Sequence, residues 1–272
     1  ELNQDSFQLE LDDLEALISE RTVLVAFTHA SNILGTINPV KEITSFVHKR
    51  GAMVCVDGVA YAPHRLVDVQ DLNADFYVYS FYKTYGPHQA VLYGKKDLLL
   101  KLDKLNHFFI GDDAIPYKLQ PGGVNHELSY GITGILDYYL ALAKNHNIQE
   151  PSVRNTLDEV FGLISAHEQT LSKRMLDYLN GKKDVRIIGS IDYNNQIRVP
   201  TIAFVVKGKS SREITLETDK KNIGIRYGDF YARHLIDSLK LEKYEGPVRV
   251  SMVHYNTLAE VDKLIDTFEN IY

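Results

Sequence analysis

The segment Asp75-Phe-Tyr-Val-Tyr-Ser-Phe-Tyr-Lys-Thr-Tyr-Gly-Pro87 decides the fold. It opens on a short run dominated by aromatic and β-branched residues, Asp75–Tyr79, then breaks into a polar loop that carries a lysine ahead of Gly86-Pro87. A run of that length, bounded by Gly and Pro, reads as a buried strand handing a loop to one edge of a sheet. Two upstream segments have the same construction. Thr22-Val-Leu-Val-Ala-Phe-Thr28 leads into the polar stretch His29–Thr36, and Ala52-Met-Val-Cys-Val56 ends at Asp57-Gly58. Their continuous apolar character is that of strands covered on both faces of a parallel sheet.

Helical patterns separate these strands. Residues 7–20 read as a helix, and Asn38 with Pro39 reads as an N-cap and first helical position ahead of Ile43, Phe46 and Val47. Ala90–Tyr93 reads as a fourth strand, and the long irregular stretch Leu105–Gly123 as a functional or interface loop. Residues 127–144 turn helical, 145–151 read as a linker, and an amphipathic helix follows with Val153, Leu157, Val160, Phe161, Ile164, Leu171, Met175 and Leu179 on one face. The remainder alternates short strands (185–188, 201–206, 223–227, 248–252) with helices near 211–221, 229–240 and 258–271, the last opened by the capping box Thr257/Glu260. The expected fold is therefore α/β, a mostly parallel sheet sandwiched by helices, with a smaller C-terminal α+β domain. The expected division is 1–150 for the large domain and 151–272 for the connecting helix and small domain.

Composition narrows the function. The 272 residues carry 30 Lys and Arg against 36 Asp and Glu, net −6, which disfavours a polyanion-binding surface, so nucleic acid is not an expected partner. One cysteine, Cys55, excludes an intrachain disulfide and fits a reducing, cytoplasmic setting. No apolar run approaches the roughly 18 residues that span a bilayer, so no membrane partner is expected. The first residues lack the pattern of a signal peptide and do not begin with Met, so the expectation is a fragment or a processed chain.

In an open α/β sheet ligands sit beyond the carboxyl ends of the strands, where Asn32, Asp57 and Lys83 fall. A lysine amine that condenses with an aldehyde, together with a carboxylate that keeps a ring nitrogen protonated, is the pair that pyridoxal 5'-phosphate requires. Each residue alone has a plainer reading: Asp57-Gly58 as a turn, Lys83 as a solvated cation in a Gly-Pro loop. Gly208-Lys-Ser-Ser211 resembles the end of a phosphate-binding loop but lacks the required upstream glycine, position 203 being Ala, and reads as a turn. The ten histidines show no paired metal-ligand spacing, and no metal site is expected; His88 and His126 are the two near the crevice loops.

Three words, His29-Ala-Ser-Asn-Ile-Leu-Gly-Thr-Ile-Asn-Pro-Val-Lys-Glu-Ile43, Val56-Asp-Gly58 and Asp75–Pro87, resemble in order and spacing the class V aminotransferase family, particularly cysteine desulfurases and desulfurase-like proteins. The resemblance continues at Pro121–Asn125, Gly224–Gly228, Val248–Ser251 and His254–Thr257. It implies a fold type I pyridoxal phosphate transferase in which Lys83 is the catalytic lysine that takes the cofactor, Asp57 partners the ring nitrogen, and Ser80 with Tyr82 neighbours the phosphate. It further implies that Asn32 and Arg249 orient a substrate carboxylate, that Asn32 also contacts the cofactor, and that two copies form a homodimer. Arg249 suits that task because its planar fork matches a carboxylate, although the residue also reads as a surface Arg on an edge strand.

The departures bear on chemistry. The stretch Arg226-Tyr-Gly-Asp-Phe-Tyr231 carries tyrosine where desulfurases have their reactive cysteine, and Cys55 reads as strand packing, so persulfide formation on a protein thiol is not expected. Ala60 replaces a Gln or His over the ring oxygen, and Gly123 replaces a Thr that reaches a phosphate across the dimer. The family's N-terminal part, with its phosphate-binding helix terminus and ring-stacking aromatic group, does not precede the first word here. The expected activity is transamination or β-elimination type chemistry on a small amino acid. The alternative is a catalytically silent subunit that keeps the scaffold as an assembly partner.

Overall fold

The computed structural model describes residue 3, residues 7–120 and residues 122–271. They form two compact units. One comprises 17–29 and 39–160, the other 1–16, 30–38 and 161–272.

In the first unit a four-stranded sheet has the order β1-β2-β3-β4, with β1 Leu24–Thr28, β2 Met53–Asp57, β3 Phe76–Ser80 and β4 Ala90–Gly94. The first three strands are mutually parallel and β4 returns antiparallel against β3. The β1–β2 crossover contains a helix, Val40–His48, whose Val40, Ile43, Thr44 and Val47 are buried. That spacing of three and four residues gives one covered stripe. Pro39, not Asn38, occupies the N-cap, one residue later than the cap pattern predicts, and Asn38 is buried. Covering on both faces does not hold: the interior strands bury one face, with Val54, Val56 and Tyr77 buried, while Met53, Cys55 and Phe76 on the other face are half-buried, and β1 leaves Leu24 47% exposed. β1 pairs with β2 alone, and an edge strand lacks the second neighbour that would cover it.

Three departures from sequence expectation are local. The helix expected over 7–20 is confined to Leu11–Leu17. The irregular loop before residue 123 holds a 3-10 turn, Tyr117–Leu119, with Lys118 almost fully buried and its Nζ donating to Leu100 O at 3.1 Å and Leu102 O at 2.7 Å. The helical stretch from 127 is two helices, His126–Gly131 and Thr133–Asn145.

The second unit carries a four-stranded sheet, order β5-β6-β8-β7, all antiparallel, with β5 Val185–Ile188, β6 Thr201–Val206, β7 Arg226–Tyr227 and β8 Val248–Ser251. Every residue of β6 is buried. Ile202, Phe204, Val248 and Val250 pack with Leu171, Met175, Leu176 and Leu179 of the helix Val153–Asn180 and with Val261, Leu264, Ile265 and Phe268 of the helix Leu258–Glu269. Both expected residues of the Thr257/Glu260 capping box bond reciprocally, and a second box at Ser210/Glu213 opens the helix Ser211–Asp219. That box lies beside the turn at Gly208, where the sequence shows a broken phosphate-loop word. The segment 30–38 joins this unit by backbone pairing, with Ile37 N donating to Ile197 O and Val199 N donating to Gly35 O. No helix of the described residues is long and apolar enough to cross a membrane.

Candidate active site

The parallel register of the first unit brings Thr28 opposite Asp57 and Asp57 opposite Val78, so the three strand ends deliver their loops to one edge. Asp57 ends β2. Its Oδ1 accepts from Val59 N–H at 2.9 Å, closing an Asx turn, while its Oδ2 makes no protein hydrogen bond among the described residues. The turn reading of Asp57-Gly58 is therefore correct and leaves one carboxylate oxygen for a ligand. Gly58 is required by packing, because a Cβ there would lie 2.2 Å from the ring and hydroxyl of Tyr77.

Tyr77 is 1% exposed, and its hydroxyl bonds His29 Nδ1 at 2.8 Å. The His29 ring stacks on Tyr61 at 3.4 Å. Burial depresses the His29 pKa to about 3, so the imidazole is neutral, and burial raises Tyr77 and Tyr61. This cluster of His29, Tyr61 and Tyr77 escaped the sequence reading. Its signal, one ring just after β1, one in the loop after β2 and one within β3, carries no register until the strands are paired.

Lys83 sits in a 3-10 turn, Phe81–Thr84, that follows β3 directly. The turn is fastened by buried Thr84, whose hydroxyl donates to Phe81 O, by Tyr85 in a left-handed conformation at φ 68°, and by Phe81 N donating to Gln89 O of the returning chain. Lys83 is exposed, with Nζ 6.0 Å from the Tyr82 ring centroid and no hydrogen bond or ion pair among the described residues. Tyr82 stacks on His88 at 5.0 Å, and Ser80, half-buried, makes no side-chain bond as the N-cap of the turn. Cys55 is half-buried, and burial, then the Asp57 carboxylate, push its thiol above the ordinary value. A thiol so shifted is a poor nucleophile at neutral pH.

In the second unit Asn32 and Arg249, 217 positions apart in sequence, meet. Arg249 Nη1 donates to Asn32 O at 3.0 Å. Arg249 lies on β8, an interior strand and not an edge. Its guanidinium carbon is 3.9 Å from the centroid of the Phe230 ring, and Asn32 Nδ2 donates to Phe230 O at 2.9 Å. Arg249 Nε is buried with no hydrogen-bond partner among the described residues, and burial lowers the guanidinium pKa. Phe230 and Tyr231 both have positive φ, 51° and 62°, and Tyr231 is fully exposed.

By their donor chemistry the first unit's residues fit pyridoxal phosphate, and the second unit's Arg249, taken separately, fits a carboxylate. Lys83 offers an uncommitted amine, Asp57 a carboxylate oxygen with spare acceptor capacity, Ser80 an uncommitted hydroxyl, and Arg249 a buried donor that lacks an acceptor.

The fold and these motifs define a class. The Aminotransferase class-V family matches residues 2–146 and 159–264, and the chain belongs to that family, whose members use pyridoxal phosphate. Among its relatives, Aminotransferase-like protein FGM3 of Gibberella zeae is 40% identical over 97% of this chain and 63% of its own length. Cysteine desulfurase-like protein ustD of Aspergillus flavus is 35% identical over 97% of this chain and 57% of its own. A cysteine desulfurase from Thermococcus onnurineus superposes with a TM-score of 0.79 at 25% identity, over 99% of this chain and 64% of the other. The fold is that of the cysteine desulfurases, and the chain spans less than two thirds of the length of these relatives.

Proposed function

We propose that this chain is part of a pyridoxal phosphate enzyme that acts on a small amino acid at its α-amino group or β-substituent, without forming a persulfide on a protein cysteine. The observation that carries the reading is Lys83, an exposed amine without a hydrogen bond or ion pair among the described residues, in the turn that follows the strand beside Asp57. When bound, pyridoxal phosphate supplies an electron sink for the bonds of the substrate's Cα. Lys83 Nζ would hold the cofactor covalently and would carry the substrate's Cα proton. Asp57 Oδ2 would keep a proton on the ring nitrogen, and the Ser80 and Tyr82 hydroxyls would bind the phosphate. Arg249 receives the substrate carboxylate, and Asn32, whose amide donates to Phe230 O and whose backbone oxygen accepts from Arg249, acts on it through Arg249. In this reading residues 1–150 serve the cofactor and 151–272 form the connecting helix and small domain.

The thiol of Cys55, raised by burial, and the tyrosine at the desulfurase cysteine position support exclusion of a protein persulfide. A homodimer is supported by Leu105, Phe108 and Phe109, which are 95%, 91% and 68% exposed in one loop, and sedimentation checks it. The single-cysteine composition supports a cytoplasmic setting.

Borohydride reduction of the protein with pyridoxal phosphate, followed by peptide sequencing, tests the function. An adduct on Lys83, lost in Lys83→Ala, is the expected result. An adduct elsewhere refutes the site, and no adduct favours the silent subunit.

A further inference from the structure

We propose that Phe230 is a specificity-determining residue of the Arg249 carboxylate site, selecting planar carboxylates over tetrahedral oxyanions, and that Asn32 is its positioning residue. The inference rests on the reading of Arg249 as the group that receives the substrate carboxylate.

A guanidinium offers donors in its plane and two faces. At Arg249 the guanidinium carbon lies over the Phe230 ring, 3.9 Å from its centroid, and Nη1 is committed to Asn32 O. The buried Nε–H has no acceptor among the described residues. A buried charged donor left unpaired is costly, so an acceptor that reaches Nε is strongly favoured there. The ring fixes the plane of the fork and removes water from one side, which strengthens in-plane charge-assisted bonds. A carboxylate has both oxygens in one plane and enters such a slot edge-on through Nε and the neighbouring amino group. A sulfonate or phosphonate that bonds through two oxygens carries its third oxygen and its carbon on opposite sides of that plane, so one of the two is turned to the side of the ring.

Phe230 is held by its backbone. It and Tyr231 are consecutive non-glycine residues in the left-handed region, a conformation that persists only where the surroundings impose it. The Asn32 amide supplies that restraint through Nδ2 and Phe230 O at 2.9 Å. The amide is thus spent on the loop, and its effect on a substrate passes through Phe230 and Arg249. Loss of the amide leaves the Asn32 backbone oxygen in place for Nη1.

The test uses the full-length protein with cofactor, labelled with 15N-arginine, with the Arg249 Nε–H resonance assigned by its loss in Arg249→Lys. Sodium acetate and sodium methanesulfonate are titrated separately. In the unsubstituted protein the resonance is displaced by the ring current of Phe230, and acetate binds at least about tenfold more tightly than methanesulfonate. Phe230→Tyr keeps both properties. Phe230→Leu, which keeps bulk without the ring, loses the displacement and most of the discrimination, and Asn32→Ala does the same. Because Asn32 is exposed, Asn32→Ala carries the test if Phe230→Leu does not fold. Unchanged discrimination in a folded Phe230→Leu or Asn32→Ala protein overturns the proposal, as does an unsubstituted Arg249 that ignores acetate. A protein that captures cofactor on Lys83 but ignores acetate loses this inference alone. One that binds acetate selectively with no adduct on Lys83 retains the inference and loses the cofactor reading.

Discussion

Gly58→Ala places a methyl group where Tyr77 Cε1 and Oη lie 2.2 Å away and Cζ 2.3 Å away. Ordinary carbon contacts are about 3.5–4 Å, so the ring must retreat by more than about 1 Å. Tyr77 has no room for this, being 1% exposed and tied through its hydroxyl to His29. Overpacking of a filled core costs about 1–3 kcal/mol, and breaking the buried bond to His29 adds about 1 kcal/mol, for an expected loss of about 2–4 kcal/mol. The assay is urea unfolding followed by circular dichroism at pH 7, where the midpoint falls with the slope unchanged. Tyr77→Leu removes the three clashing atoms, so Gly58→Ala in that background costs less, and the double-mutant cycle returns a coupling above about 1 kcal/mol. If Gly58→Ala alone leaves the midpoint within about 0.5 kcal/mol of the parent, the ring does not fix the backbone after Asp57, and the packing argument for the Asp-Gly word is wrong.

Acid titration gives two further outcomes. Because burial holds the native His29 pKa at about 3 while the unfolded imidazole titrates near 6.5, stability declines as pH falls from 6.5, by about 2 kcal/mol at pH 5, and His29→Gln flattens that decline in urea midpoints. For Asp75, burial raises the pKa, but hydrogen bonds from Lys95, His48 and Val54 N–H outweigh it and leave the native value below the ordinary one. Its contribution is present above the unfolded carboxylate pKa and lost as pH falls through the native one. Asp75→Ala therefore costs about 2–4 kcal/mol at pH 7, speeds amide exchange at Val54, and converges on the parent in strong acid. Thr257→Ala removes one half of a capping box and costs about 1 kcal/mol by the same unfolding assay, while Thr257→Ser, which keeps the capping hydroxyl, retains most of that stability. Cys55, its thiol raised by burial and Asp57, reacts with a disulfide reagent at pH 7 more slowly than an unfolded control.

The strand–loop alternation was legible because Val, Ile, Phe and Tyr cluster in runs that only a covered sheet accommodates, and β2, β3, β4, β6 and β8 stand within a residue or two of their expected bounds. Strand ends moved because pairing, rather than composition, terminates a strand. β7 shrank to Arg226–Tyr227 since only those two residues pair with β8. The covering expected for β1 failed at Leu24, where neighbours along the chain say nothing about the neighbour across the sheet.

By itself the sequence determined the chemistry: which side chains carry an amine, a carboxylate or a guanidinium, and that Asp57 and Lys83 follow strands while Thr257 caps a helix. Tertiary structure alone decided what those groups meet. His29 and Asn32 are three positions apart, yet the first packs with Tyr61 and Tyr77 in one unit and the second with Phe230 and Arg249 in the other. Local preference acts over a few bonds, whereas the desolvation that neutralises His29 and the ring that covers Arg249 come from residues brought in by sheet pairing and turn geometry.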